Sequence, residues 1–193
     1  MAYKTILAFL PTPARAERVL DLAIPIADAQ DAHLTGIHTI PDVTAYYGMV
    51  EGQMPADIIE QQRRAMQDEA NQVRELFERR TATNAARSEW RSAQDTEGDE
   101  IQKFINMSMC ADLIVTDQAA AGFSGYGSDV AARMVLGTAR PVLVVPSIGK
   151  YASVGKRPLI AWNGDKEAAR AAFDAIPLMQ DADLVRILAI DPN

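Results

Sequence analysis

Cysteine and histidine are nearly missing from this chain, which holds one Cys and two His in 193 residues. A single thiol, Cys110, excludes an intrachain disulfide framework and any Cys-based zinc site. Set in the apolar stretch INMSMCADLIV, with no cation in sight to lower its pKa, it is expected to be buried and inert. No apolar run approaches the roughly 20 residues of a membrane span. A basic excess is missing too: the net charge of −7 and pI near 4.8 offer no stripe of Lys and Arg for a phosphate backbone, which excludes nucleic acid as a partner class. The N-terminal MAYKTILAFLPTP places about seven apolar-rich residues before two prolines, and a strand explains it better than a secretory leader. A cytoplasmic protein of bacterial type, away from membranes, is the expectation.

What is present is enough hydrophobic sequence, 48%, to build a substantial core. TILAFL (5–10) and DLIVTD (112–117) are continuous apolar runs of strand length, as in strands buried on both faces of a parallel sheet. HLTGIHTI (33–40) and RPVLVVP (140–146) read as further strands. ARSEWRSA (86–93) alternates weakly and carries charge, so it belongs at an edge. Helical spacing fills the gaps between them. PARAERVLDLAIPIADAQ (13–30) is one such segment, with Pro25 expected to kink or shorten it. The others run from about 55 to 80, from 97 to 110, and from 128 to 139, the last with Ser128 or Asp129 as N-cap. Residues 41–54, with Tyr46, Tyr47 and Met49, read as a loop able to cover a pocket or pack over a sheet edge. Alternation of this kind implies right-handed βαβ units and a doubly wound α/β domain.

That domain is complete by residue 147, yet the chain continues. TILAF (5–9) returns as PLIAW (158–162), AIP (23–25) as AIP (175–177), and DAHL…IHTIPD as DADL…ILAIDP. Internal repetition sets the architecture before any local motif does. The expected organisation is one domain over 1–147, a linker over 148–156, and over 157–193 the first βαβ unit of a second domain. A piece that small buries too little surface to fold alone, so it must dock on the first domain, exchange with another chain, or fray.

ADLIVTDQAAAGFSGYGSDVAARMVLGTARPVLVVP (111–146) resembles the C-terminal half of the universal stress protein family, and IAWNGDKEAARAAFDA resembles the opening of the second domain in its tandem members. The resemblance implies a five-stranded parallel sheet of order 3-2-1-4-5, a homodimer joined through the last strand (here 141–145), and in some members ATP binding. Those members use an Asp ending the first strand, backbone at the end of the second, and a loop of form G-x2-G-x9-G-S/T. Here Pro11 stands near the place of the Asp, with neither carboxylate nor N–H. Gly122 and Gly125 supply the first pair of glycines, but only Tyr126 separates them from Gly127 and Ser128. Thr39 falls at the backbone position, Asp117 at the strand edge where doubly wound folds bind ligands, and Asn163 at the Asp position of the repeat.

Two readings of these residues stay open. Gly122 to Ser128 form either a connection with a helix cap or a degenerate anion or nucleotide site on a helix N-terminus. His38 reads as structural and His33 as solvent-facing; Asp112 is expected to stabilise the turn before its strand. Asp112 and Asp117 lack a His or Cys partner and make a poor metal site. No nucleophile elbow, Walker loop or paired base is present, so catalysis is not expected. The functional expectation is a non-enzymatic stress-response module that requires no cofactor and binds ATP or AMP weakly at most. The alternatives are an adenine-nucleotide-binding member using loop 118–128, or a nucleotidyl-transferring enzyme of related fold, for which PTPARAER offers only Arg15 and Arg18.

Overall fold

Strands that are apolar without alternation need cover on both faces, and the structure supplies it. The computed structural model describes residues 2–40, 55–83, 87–94, 100–119 and 130–190. Its elements run β1 (Thr5–Phe9), α1 (Pro13–Gln30), β2 (His33–Ile40), α2 (Ala56–Thr81), β3 (Ser88–Gln94), α3 (Glu100–Ser108), β4 (Leu113–Asp117), α4 (Val130–Gly137) and β5 (Val142–Val145). The five strands form one parallel sheet in the order β3-β2-β1-β4-β5, as expected. Ile6 of β1 lies beside Leu34 of β2 on one side and Leu113 of β4 on the other. Among the described residues β3 pairs with β2 alone, and its Glu89–Arg91 ion pair at 2.9 Å marks it as a charged edge.

Alternate residues of each strand feed two cores. Ile6 and Ala8 meet Val19 and Ala23 of α1 and Phe77 of α2. Leu7 and Phe9 meet Ile101, Phe104 and Ile105 of α3 and Met134 of α4. Phe9 and Phe104 pack ring against ring, tilted by 57°, at a centroid distance of 4.8 Å. Burying each of these large side chains contributes about 1.5–3 kcal/mol. α2 approaches β2 so closely that a Cβ on Gly36 would sit 2.6 Å from the Phe77 ring, which is why glycine interrupts an otherwise bulky strand.

Three local expectations are corrected. α1 runs through Pro25 for 18 residues without being shortened, because Pro25 lies on the exposed side of the helix, where water can satisfy the carbonyl it leaves free. Cys110 is exposed. It sits in the turn that follows α3, closed by the Ala111 N–H donating to the Ser108 carbonyl at 3.0 Å, and Ile105 and Ala111 take the buried positions on either side. Asp112 acts on β1 instead of on the turn before β4. Its carboxylate accepts the backbone N–H groups of Lys4 and Thr5 at 2.8 and 2.9 Å.

A second parallel unit follows: β6 (Leu159–Trp162), α5 (Lys166–Asp174), α6 (Ile176–Met179) and β7 (Arg186–Ala189), with β6 and β7 in a sheet of their own. It docks on the first domain. Val154 and Leu178 pack against the first core, the Tyr3 hydroxyl donates to the Asp174 carbonyl at 2.5 Å, and the Gln30 amide donates to the Pro177 carbonyl at 3.4 Å. Gly155 makes this junction possible: at φ +81°, a Cβ there would lie 1.6 Å from the Leu178 carbonyl oxygen. Among the described residues, no helix is long and apolar enough to cross a membrane.

Candidate functional site

Open parallel sheets bind ligands beyond the carboxyl ends of their strands, where the strand order reverses. In this sheet that point lies between β1 and β4. The chain leaves β1 through Leu10 and Pro11, caps α1 with Thr12 in extended conformation, and starts the helix at Pro13, a residue suited to a first turn. Arg15 and Arg18 follow three residues apart, so both project from one side of that turn. β4 ends at Asp117, and the three side chains meet over the gap.

Asp117 is the centre of the arrangement, with none of its side chain exposed. Arg15 holds it in a fork, Nε to Oδ2 at 2.8 Å and Nη2 to Oδ1 at 2.9 Å. Arg18 adds Nη2 to Oδ2 at 3.1 Å. The Arg15 and Arg18 side chains are 15% and 31% exposed, so the carboxylate is shielded from water and the cluster is reached only past the two arginines. Charge-assisted, two-pronged contacts of this kind are strong and directional. Removing one member strands the other charges in a low dielectric, a loss of about 3–5 kcal/mol. Arg18 Nε and, on the adjacent residue of β4, Thr116 Oγ1 are buried without a hydrogen-bond partner.

The neighbouring strand end is equally closed. Leu10 N–H donates to the Ile37 carbonyl at 2.8 Å, and His38 Nδ1 lies 2.7 Å from the Leu10 carbonyl. The imidazole is 4% exposed and stacks on Trp90 at 6.5 Å. Burial holds His38 below its usual pKa, with the Leu10 carbonyl pulling partly in the opposite direction. It is a structural residue of the strand end. His33, at the start of β2, is half-buried and reaches Glu89 at 3.4 Å.

Of the residues singled out from sequence, Pro11, Thr39 and Asp117 come to the same end of the sheet. Pro11 is half-buried and Thr39 is 3% exposed. Asn163 directly follows β6 in the other unit, where it builds a local turn: its side chain accepts the Asp165 N–H at 3.1 Å and donates to the Asp165 carboxylate at 2.9 Å. Gly122, Gly125, Gly127, Ser128, Tyr46, Tyr47 and Met49 lie outside the described residues. Arg15 and Arg18 are the members of this cluster that sequence reasoning undervalued, since on their own they count only as a poor catalytic motif. Their signal is relational: two Arg at i,i+3 in the first turn after β1, and an Asp closing the strand beside it.

No family model matches the sequence, and no curated protein does. Solved structures do match. A universal stress protein from Archaeoglobus fulgidus DSM 4304 superposes over 97% of this chain and 66% of its own, at TM-score 0.70 and 15% identity. The universal stress protein UspA from Lactobacillus plantarum matches at TM-score 0.55 and 18% identity, over 75% of this chain and 99% of that one. A protein of the universal stress protein family from Burkholderia pseudomallei matches at TM-score 0.53 and 23% identity, over 75% and 97%. The molecule is thus a doubly wound α/β protein with an ion cluster at its switch point. Its fold is that of the universal stress proteins.

Proposed function

We propose that this chain is a universal stress protein acting as a non-enzymatic regulatory or interaction module, with a degenerate nucleotide site in its first domain. The observation that carries this reading is the Arg15–Asp117–Arg18 cluster at the switch point. A nucleotide entering there would have to break a buried charge-assisted fork, and Pro11 offers no carboxylate to hold a ribose or adenine edge in return. The short spacing from Gly125 to Gly127 and Ser128 points the same way, since it leaves little loop to wrap a triphosphate.

Two further features belong to the reading. Residues 157–193 are the first βαβ unit of a second domain of the same kind, supported by the sequence repeat and by the parallel pairing of β6 with β7. The protein assembles as a homodimer through 141–145. Among the described residues β5 pairs only with β4, and Val144 is 36% and the nearby Val135 and Leu136 55% and 87% exposed, an apolar edge of the sort that pairing covers. The test of the main claim is to unfold the purified protein mildly and chromatograph what it releases. The expected result is no adenine nucleotide near stoichiometry; a stoichiometric adenine nucleotide would overturn the reading.

A further inference from the structure

The C-terminal half of α1 meets the second unit around a cavity of about 260 Å³. Gln30, at its edge, lies roughly 18 Å along the helix axis from Arg18, so the cavity and the ion cluster sit at opposite ends of α1. Three segments wall it. Leu22, Pro25 and Ile26 of α1, with Pro177 and Leu178 of α6, supply an apolar lining. The linker, from Ala152 to Lys156, forms the third side.

The repeat makes the two larger walls counterparts. AIP at 23–25 recurs as AIP at 175–177, and QDA at 30–32 as QDA at 180–182. Pro25 and Pro177, Ile26 and Leu178, and Gln30 and Gln180 are therefore equivalent pairs, and both members of each pair line the cavity. This side of the helix is one that a domain's own elements leave uncovered. In the first repeat all five strands are present, and Pro25 and Ala29 are still exposed. The wall contributed by α6 and the turn after it is the equivalent side of the second repeat.

The chemistry of the lining selects a class of ligand. Its charged residues are Lys156 and Asp181, one of each sign, which favours a neutral molecule. Lys156 Nζ also donates to the Asp181 carbonyl at 3.2 Å, holding the linker to the turn after α6. Each glutamine presents a donor and an acceptor in one plane, which matches a ring edge carrying N–H beside C=O. Gln30 makes only the long 3.4 Å bond to Pro177, and among the described residues the Gln180 amide and the Ser153 hydroxyl have no hydrogen-bond partner. Small-molecule pockets start near about 300 Å³, so this one suits a single ring or a small fused pair. We propose that the cavity binds a small neutral heterocyclic amide, of the lactam or cyclic imide type, and that binding locks the second unit onto the first. Such a ligand touches both repeats and the linker, so it favours the docked arrangement by mass action. This inference stands apart from the nucleotide reading, which concerns the other end of the sheet.

The probe is uracil, titrated into the full isotope-labelled chain and followed by the NMR shifts of its backbone amides. Those of Gln30, Gly155 and Gln180 should saturate together, with half-saturation in the millimolar range or tighter. Gln180→Leu should raise the half-saturation concentration about fivefold or more, the effect of losing one hydrogen bond. Dimethylating both ring nitrogens of uracil, which removes its N–H donors and keeps the ring, should weaken binding at least as much. At ten times the half-saturating concentration, tryptic cleavage after Lys156 should slow about tenfold, the factor by which the undocked population falls. Failure to saturate, binding that neither Gln180→Leu nor dimethylation weakens, or unchanged cleavage would overturn the proposal. So would shifts confined to Leu10 and Asp117, because uracil would then sit at the other end of the sheet.

Discussion

β1–α1–β2 and β6–α5–α6–β7 are written in related sequence and live in opposite surroundings. Both make parallel strands joined by a helix, with an extended N-cap at Thr12 in one and Asp165 in the other. Ile6, Ala8 and Phe9 are at most 1% exposed, while Leu159, Trp162, Ile187 and Ile190 are 61%, 39%, 68% and 82% exposed. The difference lies in neighbours. Among the described residues, β1 has strands on both edges and helices on both faces, while β6 has one strand and an alanine-rich helix. Local sequence thus suffices for a βαβ unit, but burial, and with it most of the stability, depends on what the rest of the chain brings to each face.

The largest effect should separate the two units directly. Phe9→Ala and Trp162→Ala truncate aromatics at equivalent places in the repeat. The first opens a cavity in a closed core and should cost about 3–5 kcal/mol. The second removes a half-solvated ring and should cost less than about 1 kcal/mol. Urea unfolding of both variants measures this, and equal losses would break the comparison. Asp117→Ala comes next, at about 3 kcal/mol, because it leaves two guanidiniums without their shared carboxylate; the same denaturation curves read it.

Gly155→Ala tests the junction instead of either unit. The added methyl collides with the Leu178 carbonyl at a backbone conformation that alanine resists, a strain of about 1–3 kcal/mol. Tryptic cleavage after Lys156 should accelerate by roughly tenfold or more as the second unit lifts away. Tyr3→Phe is the mildest, losing the bond to Asp174 and about 1 kcal/mol. Burial, helped by the Asp174 charge, pushes the Tyr3 phenol up to about 12 in the folded state. A raised folded pKa means the folded state holds its proton longer. The contribution is therefore full below about pH 10 and lost as pH rises toward about 12. Wild-type stability should fall over that interval more steeply than that of Tyr3→Phe.

Much of the fold is legible in the residues themselves. The uninterrupted apolar runs of β1 and β4 announce strands buried on both faces, and the charges of β3 announce an edge. The return of TILAF as PLIAW and of AIP as AIP announces the second unit. Properties that depend on two distant segments are harder to read. Cys110 looks buried by its neighbours, yet a turn points it outward. Pro25 looks like a helix breaker, yet α1 continues past it to Gln30, with Pro25 on its exposed side. Asp117 looks like an available carboxylate at a ligand edge until α1 places Arg15 and Arg18 against it. One-dimensional spacing reports the periodicity of an element and says little about which side chain answers which across about 100 residues.

The claim on which the functional reading rests is that this ion cluster closes the first domain to nucleotide, and calorimetric titration of the full chain with ATP tests it most directly. The account predicts no binding tighter than roughly 100 µM, equivalent to about −5.5 kcal/mol. Saturation at micromolar ATP, abolished by substituting Arg15 or Arg18, would contradict it.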